Sequence, residues 1–274
     1  MTDLYYNRAF IPDFDAIMAE TAARSRAFVK GRDLRADIAY GPTPRQTYDL
    51  ILPDRPRQGA PIHMFIHGGY WRAGEKDVHH LVAAPVLAAG GIAAIVTYDL
   101  MPATRLGAIV AQLRRAALQI QAQAAAFGAD PARFTASGHS AGAHLASLLA
   151  ARARGDLQPP SLPDLRGLLL ASGIYDLGGI PGSFLKNEAA MTTEEAALWA
   201  PRDAVHRPDL PRILTRGEAE TAPFHDQAHE LASLLPAPCV LRVEPGLNHL
   251  SLVLDLADPM RPLGAALADL VANS

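Results

Sequence analysis

Gly138-His139-Ser140-Ala141-Gly142 lies between the apolar stretch Arg133–Ser137 and the alanine- and leucine-rich stretch Ala141–Ala153. The first stretch reads as a buried strand and the second as a helix, which puts a serine in the turn between them. Such a turn leaves little room, and glycines two residues before and after let strand and helix close on each other without a Cβ in the way. Ser140 is therefore the candidate nucleophile, since Ser137 and Ser147 have no such setting. The plain alternative is a Gly-rich turn in which Ser140 only caps a helix. The immediate and strongly apolar start of that helix weighs against it.

Outward from this turn, short apolar runs alternate with helical patterns. Pro61–His67, Ile92–Tyr98, Leu165–Ser172, Pro211–Thr215 and Cys239–Val243 read as strands, preceded by extended segments at Ala36–Tyr40 and Thr47–Leu52. Helical patterns cover 13–30, Asp77–Ala89, Leu106–Phe127, Ala222–Leu235, Leu250–Leu256 and Leu263–Val271. This alternation predicts an α/β fold, a mostly parallel central sheet with helices on both faces. Right-handed crossovers then bring every parallel strand's carboxyl end to one edge, where such sheets build their sites. One domain over 1–274 is expected, with 176–208 as a small cap insertion over that edge.

Composition narrows the function. A chain of 274 residues can bury a core without disulfides or structural metals. Its net charge of −3 argues against a nucleic-acid or anionic-membrane surface. Cys239 is the single cysteine, so a disulfide framework and a cysteine-rich zinc site are both excluded. Met1–Ala9 has no apolar run of the secretory type, and no stretch offers the roughly 20 apolar residues of a membrane span. A cytoplasmic location is the expectation.

His67-Gly68-Gly69-Tyr70-Trp71 follows the strand Pro61–His67 directly. Glycines there allow backbone N–H groups to approach a developing oxyanion, so Gly68 and Gly69, with Ala141 after the nucleophile, are the candidate oxyanion hole. His67 reads as a brace for this loop. The base should come late, after the last strand, and His249 is the only histidine beyond 229. The acid should follow Pro211–Thr215, where Glu218 and Glu220 compete; Asp176, after Leu165–Ser172, is an outside candidate.

With these pieces assembled, the chain resembles the kynurenine formamidase (arylformamidase) branch of the α/β-hydrolases, near the hormone-sensitive-lipase-like esterases. The likeness runs through Tyr5-Tyr6-Asn7-Arg8-Ala9, HGGYW at 67–71, GHSAGAHL at 138–145, SGIYDL at 172–177, Glu220-Thr221-Ala222-Pro223-Phe224 and Asn248-His249. Tyr70 stands where the broader esterase group usually has a third glycine. The resemblance favours Glu220 as the acid. It implies a serine hydrolase that removes a small acyl group, with N-formylkynurenine as the substrate and no cofactor. A carboxylesterase for short acyl or aryl esters is the alternative, and a catalytically inactive ligand receptor of the same fold a remote one. Two positions depart from the pattern: Trp199-Ala200, where a smaller pair is expected, and Arg72, where a neutral polar residue is commoner.

An arylamine leaving group suits aromatic walls, for which Tyr70, Trp71, Tyr175 and Trp199 are the candidates. His144 joins them on the pocket floor, with a hydrogen-bonded packing role as the plainer reading. The expected partner is a small-molecule formamide or ester, with neither nucleic acid nor membrane; a homodimer is compatible. His225 with His229, and His79 with His80, lack the carboxylate pattern of a metal site, so no metal is expected. Arg114-Arg115 and Arg152/Arg154 read as solvated helix faces.

Overall fold

The computed structural model describes residues 2–55 and 57–274. Eight strands form the central sheet: β1 (Asp33–Ala39), β2 (Thr47–Leu52), β3 (Ala60–Ile66), β4 (Ile92–Val96), β5 (Ala129–His139), β6 (Gly167–Ala171), β7 (Arg212–Gly217) and β8 (Cys239–Glu244). Their spatial order is β1-β2-β4-β3-β5-β6-β7-β8. The β1–β2 and β2–β4 pairs are antiparallel and all other neighbours are parallel. This is the α/β architecture expected from the alternating pattern.

β3 shows why a short apolar run becomes a central strand. All seven of its residues are buried. Ile62, Met64 and Ile66 join one core, shared with the long helix α3 (Leu106–Gln123) and α4 (Ala141–Ser147). Phe65 joins the core on the other face, with α2 (Ala83–Ala88), α7 (Ser251–Leu256) and α8 (Pro262–Ala272). A strand covered on both sides must be apolar on both sides. The exception, His63, is satisfied by Thr135 Oγ1 and Ser137 Oγ, each 2.7 Å away. Burial pushes its imidazole down to about 3, so it stays neutral. Ser137 is thereby a structural serine within the sheet.

Two local expectations are corrected. The helix after Ser140 ends at Ser147, a 3-10 turn follows, and Ala151–Arg152 pairs antiparallel with Val205–His206. Arg114 holds this helix end. Its guanidinium donates to the carbonyls of Leu148 (3.1 Å) and Ala151 (2.9 Å) and binds Asp156 at 2.6 Å. It is buried, not solvated. Carbonyls taken by a side chain in this way do not need a further helical turn.

The other correction concerns the roof of the site. Segment 176–208 folds into short 3-10 turns and α5 (Thr193–Trp199), and contributes only Phe184 to the cavity over the sheet edge. The N-terminal segment and α1 (Phe14–Phe28) cover the rest, through residues between Tyr6 and Thr21. Their docking is polar as well as apolar: Asn7 Nδ2 donates to the Tyr70 hydroxyl (3.2 Å), which itself donates to the Tyr5 carbonyl. Ser25 Oγ donates to the Val78 carbonyl at 2.9 Å. Gln227 Nε2 donates to the Tyr5 hydroxyl at 3.0 Å, drawing in α6 (Ala222–Leu234).

Candidate active site

Ser140 has φ 56° and ψ −123°, a region that non-glycine residues occupy only under constraint from their surroundings. The constraint is visible in the flanking glycines. A Cβ on Gly138 would lie 2.2 Å from the Gly142 carbonyl oxygen, and one on Gly142 would lie 2.0 Å from that of Ile66. Strand β5 and helix α4 therefore pack backbone to backbone. The serine is thrust out at the carboxyl edge of the sheet.

His249 arrives on the loop after β8. Asn248 pins that loop by accepting from the amides of Leu250 (3.0 Å) and Ser251 (2.9 Å), which caps α7. His249 Nε2 lies 2.9 Å from Ser140 Oγ and Nδ1 lies 3.1 Å from Glu220 Oε2. An ionised carboxylate only accepts, so Nδ1 carries the proton and Nε2 is left to accept from the serine hydroxyl. Glu220 Oε1 accepts from the Gly217 amide at 2.8 Å and from the Ser172 hydroxyl. Burial alone would raise its carboxyl; the interaction with the His249 ring and these hydrogen bonds outweigh it and hold the group below the usual range.

The structure brings Glu220 to the imidazole and leaves the two other acids elsewhere. Glu218 accepts from the Gly246 amide at 2.9 Å, tying the loops after β7 and β8. Asp176 pairs with Arg202 at 2.8 Å.

The loop at 67–71 runs beside the serine. A Cβ on Gly68 would stand 3.0 Å from that of Ser140, and Gly69, at φ 114°, could carry none without meeting the Ala73 carbonyl at 2.2 Å. The amides of Gly68, Gly69 and Ala141 enter none of the turn and loop backbone bonds among the described residues. His67 braces the loop: its Nδ1 is 2.7 Å from the Gly68 carbonyl and its ring stacks on Tyr98 at 4.5 Å. In a trans peptide, a carbonyl held toward His67 leaves the Gly69 N–H pointing the opposite way. Burial pushes His67 down to about 3, so it holds this bond as a neutral ring.

Residues that the sequence reading missed complete the shell. The rings of Phe224 and His139 lie 4.4 and 4.7 Å from that of His249. His139 Nε2 is also 2.8 Å from the His249 carbonyl. Their signals were present in the sequence, since His139 is the variable residue of the elbow and Phe224 ends the Glu220–Phe224 stretch. Neither has chemistry of its own to single it out.

The aromatic walls are corrected. A cavity of about 290 Å³ opens over Ser140 and His249, and its aromatic rings are Tyr6, Phe14, Tyr70 and Phe184. Trp71, His144, Tyr175 and Trp199 do not line it. Positive φ at both Tyr70 (51°) and Trp71 (59°) turns the indole into the core, where it is fully buried. Trp71 Nε1 donates to His144 Nδ1 (3.1 Å), and His144 Nε2 donates to the Trp199 carbonyl (2.9 Å). Trp199 packs over Gly107 and Gly155, where a Cβ would come within 2.6 Å of its ring. Tyr175 is buried beside Gly173. These four hold the scaffold behind the site.

Of the histidines weighed as metal ligands, His80 falls with Asp49 and Asp77 in a group whose ligand atoms lie within 4.8 Å of one another. The Lys76 ammonium, 3.3 Å from Asp49 and 3.6 Å from Asp77, already supplies positive charge there. His229 faces the Arg216 guanidinium at 3.4 Å. No described helix is long and apolar enough to cross a membrane.

Comparison with known proteins agrees with the fold. Residues 63–216 match the family described as alpha/beta hydrolase fold. A kynurenine formamidase of Danio rerio is 30% identical over 187 residues, which is 67% of this chain and 61% of that protein. One of Salmo salar is 25% identical over 257 residues, 89% of this chain and 85% of that protein. The chain thus spans about three fifths of the first relative's length and more of the second's. Among solved structures, a thioesterase candidate from Silicibacter sp. TM1040 superposes with a TM-score of 0.83 at 26% identity, covering 98% of this chain and 97% of its own. The chain belongs to the α/β-hydrolase fold family and is an enzyme of the hydrolase class.

Proposed function

We propose that the protein is an arylformamidase, hydrolysing N-formyl-L-kynurenine to kynurenine and formate with Ser140, His249 and Glu220 as its triad. The observation that carries this reading is the Ser140–His249–Glu220 hydrogen-bonded chain beside a two-glycine loop, in a chain with formamidase relatives. Ser140 Oγ attacks the formyl carbon while His249 Nε2 takes its proton. The resulting oxyanion is held by the amides of Gly69 and Ala141, with Gly68 alongside. His249 then gives the proton to the departing arylamine nitrogen. Water, deprotonated by the same imidazole, hydrolyses the formyl ester on Ser140 and releases formate. Glu220 holds the ring in the required tautomer and stabilises its positive charge. No step calls for a cofactor.

The cavity supports a small acyl group with a flat leaving group. Gly68 brings the loop backbone within contact of Ser140, while Tyr6, Phe14, Tyr70 and Phe184 offer rings for an arylamine to pack against. Within this reading the enzyme acts on a small molecule in the cytoplasm, in tryptophan catabolism. A carboxylesterase for short acyl or aryl esters uses the same steps with an alcohol leaving group. Turnover of N-formylkynurenine set against p-nitrophenyl acetate separates the two: an untouched formamide beside an efficiently cleaved ester rejects the formamidase. Fluorophosphonate labelling that disappears in Ser140→Ala excludes an inactive receptor.

A further inference from the structure

Two guanidiniums, those of Arg8 and Arg72, line the cavity, and no carboxylate among the described residues does. They differ in what they have left to give. Arg8 donates to Asp15 at 2.6 Å and lies 4.3 Å over the Phe14 ring. Arg72 has one charged contact among the described residues, Glu188 Oε2, 2.7 Å from Nη2, in a partly exposed pair. Its Nε is closed to solvent, so Nη1 and Nη2 are the donors a ligand in the cavity can reach. A guanidinium carries five donors in a planar fork, and its two terminal nitrogens can take a carboxylate side-on.

Position adds to the argument. The Arg72 amide donates to the Gly69 carbonyl at 3.1 Å, so Arg72 stands on the same turn as the proposed oxyanion donor. Its backbone is therefore fixed beside the reacting end of the cavity, which its side chain lines.

We propose that Arg72 is a specificity-determining residue that binds a carboxylate on the leaving group, making the enzyme selective for anionic over neutral aryl substrates. This rests on the arylformamidase reading for the arylamine part of the substrate alone. The exposed Glu188 pair is no barrier, because ion pairs open to solvent are weak and a ligand carboxylate can share or replace one.

The test compares kcat/KM for formanilide and its ring-carboxylated analogue, 3-formamidobenzoate, and in parallel for phenyl acetate and 3-acetoxybenzoate. The wild type is expected to prefer the carboxylated member of each cleaved pair by about tenfold or more, chiefly through KM, as a charge-assisted pair provides. The preference should shrink as salt is raised. In Arg72→Met the ratio should fall about tenfold, and Arg72→Lys should restore part of it. A wild-type ratio near one, or a ratio unchanged by salt and by Arg72→Met, overturns the assignment. Cleavage of esters alone with the Arg72-dependent preference intact would retain Arg72 and reject the formamidase. Cleavage of formamides without the preference would do the reverse.

Discussion

Glu220 holds His249 with one carboxylate oxygen, 3.1 Å from Nδ1, while its other oxygen is fixed by the Gly217 amide and the Ser172 hydroxyl. A carboxylate anchored on both oxygens has little freedom to release the ring. Glu220→Gln keeps the shape but offers an amide where an acceptor is required, favouring the wrong tautomer. We expect kcat to fall about 10³–10⁴-fold with little change in KM, as for loss of the acid in comparable triads. Glu218→Gln, whose partner is a loop amide, should stay within about threefold of wild type. If the two variants behaved alike, the acid would be misassigned; steady-state kinetics on one ester substrate decides.

The elbow glycines make a prediction about stability. The Cβ of Gly142→Ala would meet the Ile66 carbonyl oxygen at 2.0 Å, a contact that only backbone movement relieves. Overpacking of this kind costs about 1–3 kcal/mol or more, and here the cost falls on the strand-helix contact that strains Ser140. Urea unfolding should show a loss of about 1–3 kcal/mol or more with activity nearly abolished. Gly182→Ala, which meets no atom within 4 Å, should stay within about 0.5 kcal/mol of wild type. Equal losses in both would show that the packing argument is wrong.

What the sequence made legible follows from how local each signal is. Pro61–His67 announces a strand buried on two faces, and the elbow announces itself by two glycines whose spacing matches one geometry. His249 was found by elimination, as the only histidine beyond 229. Most of the misreadings involve distant partners. Arg114 looks solvated until Asp156 closes on it from 42 residues away. Tyr6 and Phe14 roof the cavity because Tyr70, some 63 residues beyond Asn7, fastens that segment down. Trp71 turns inward through a left-handed backbone that no glycine advertises.

Several imidazoles are buried as neutral rings, which sets an acid limit. Burial pushes His63 and His67 down to about 3 and His144 to about 4. The unfolded chain protonates these residues near pH 6.5, so below that value it binds protons that the native state refuses. Stability is therefore complete above about pH 6.5 and is lost as pH falls. The slope should approach about 1.4 kcal/mol per pH unit for each ring, about 4 from these three, and His139 and His79, lowered by burial as well, add to it. Urea unfolding at pH 7.5, 6.5 and 5.5 measures it. The window lies above the ordinary carboxylate range, so acids cannot mimic the effect. A flat profile from 6.5 to 5.5 would show that these rings are protonated in the fold.

The division between cavity wall and scaffold can be tested with two large aromatic residues from the same segment. Phe184 lines the cavity and meets Tyr70 edge-on, with ring centroids 5.4 Å apart. Trp199 lies outside it, packed on Gly107 and Gly155. Phe184→Ala removes a surface that the leaving group contacts, so KM for an aryl substrate should rise about five- to thirtyfold, in line with about 1–2 kcal/mol for a lost apolar contact. Trp199→Leu should lower the melting temperature and leave KM within about twofold. The contrast must also depend on the substrate, because a short alkyl ester lacks the ring that Phe184 would contact, and for it the Phe184→Ala effect should shrink. A rise in KM for Trp199→Leu confined to aryl substrates would restore that indole to the wall of the pocket.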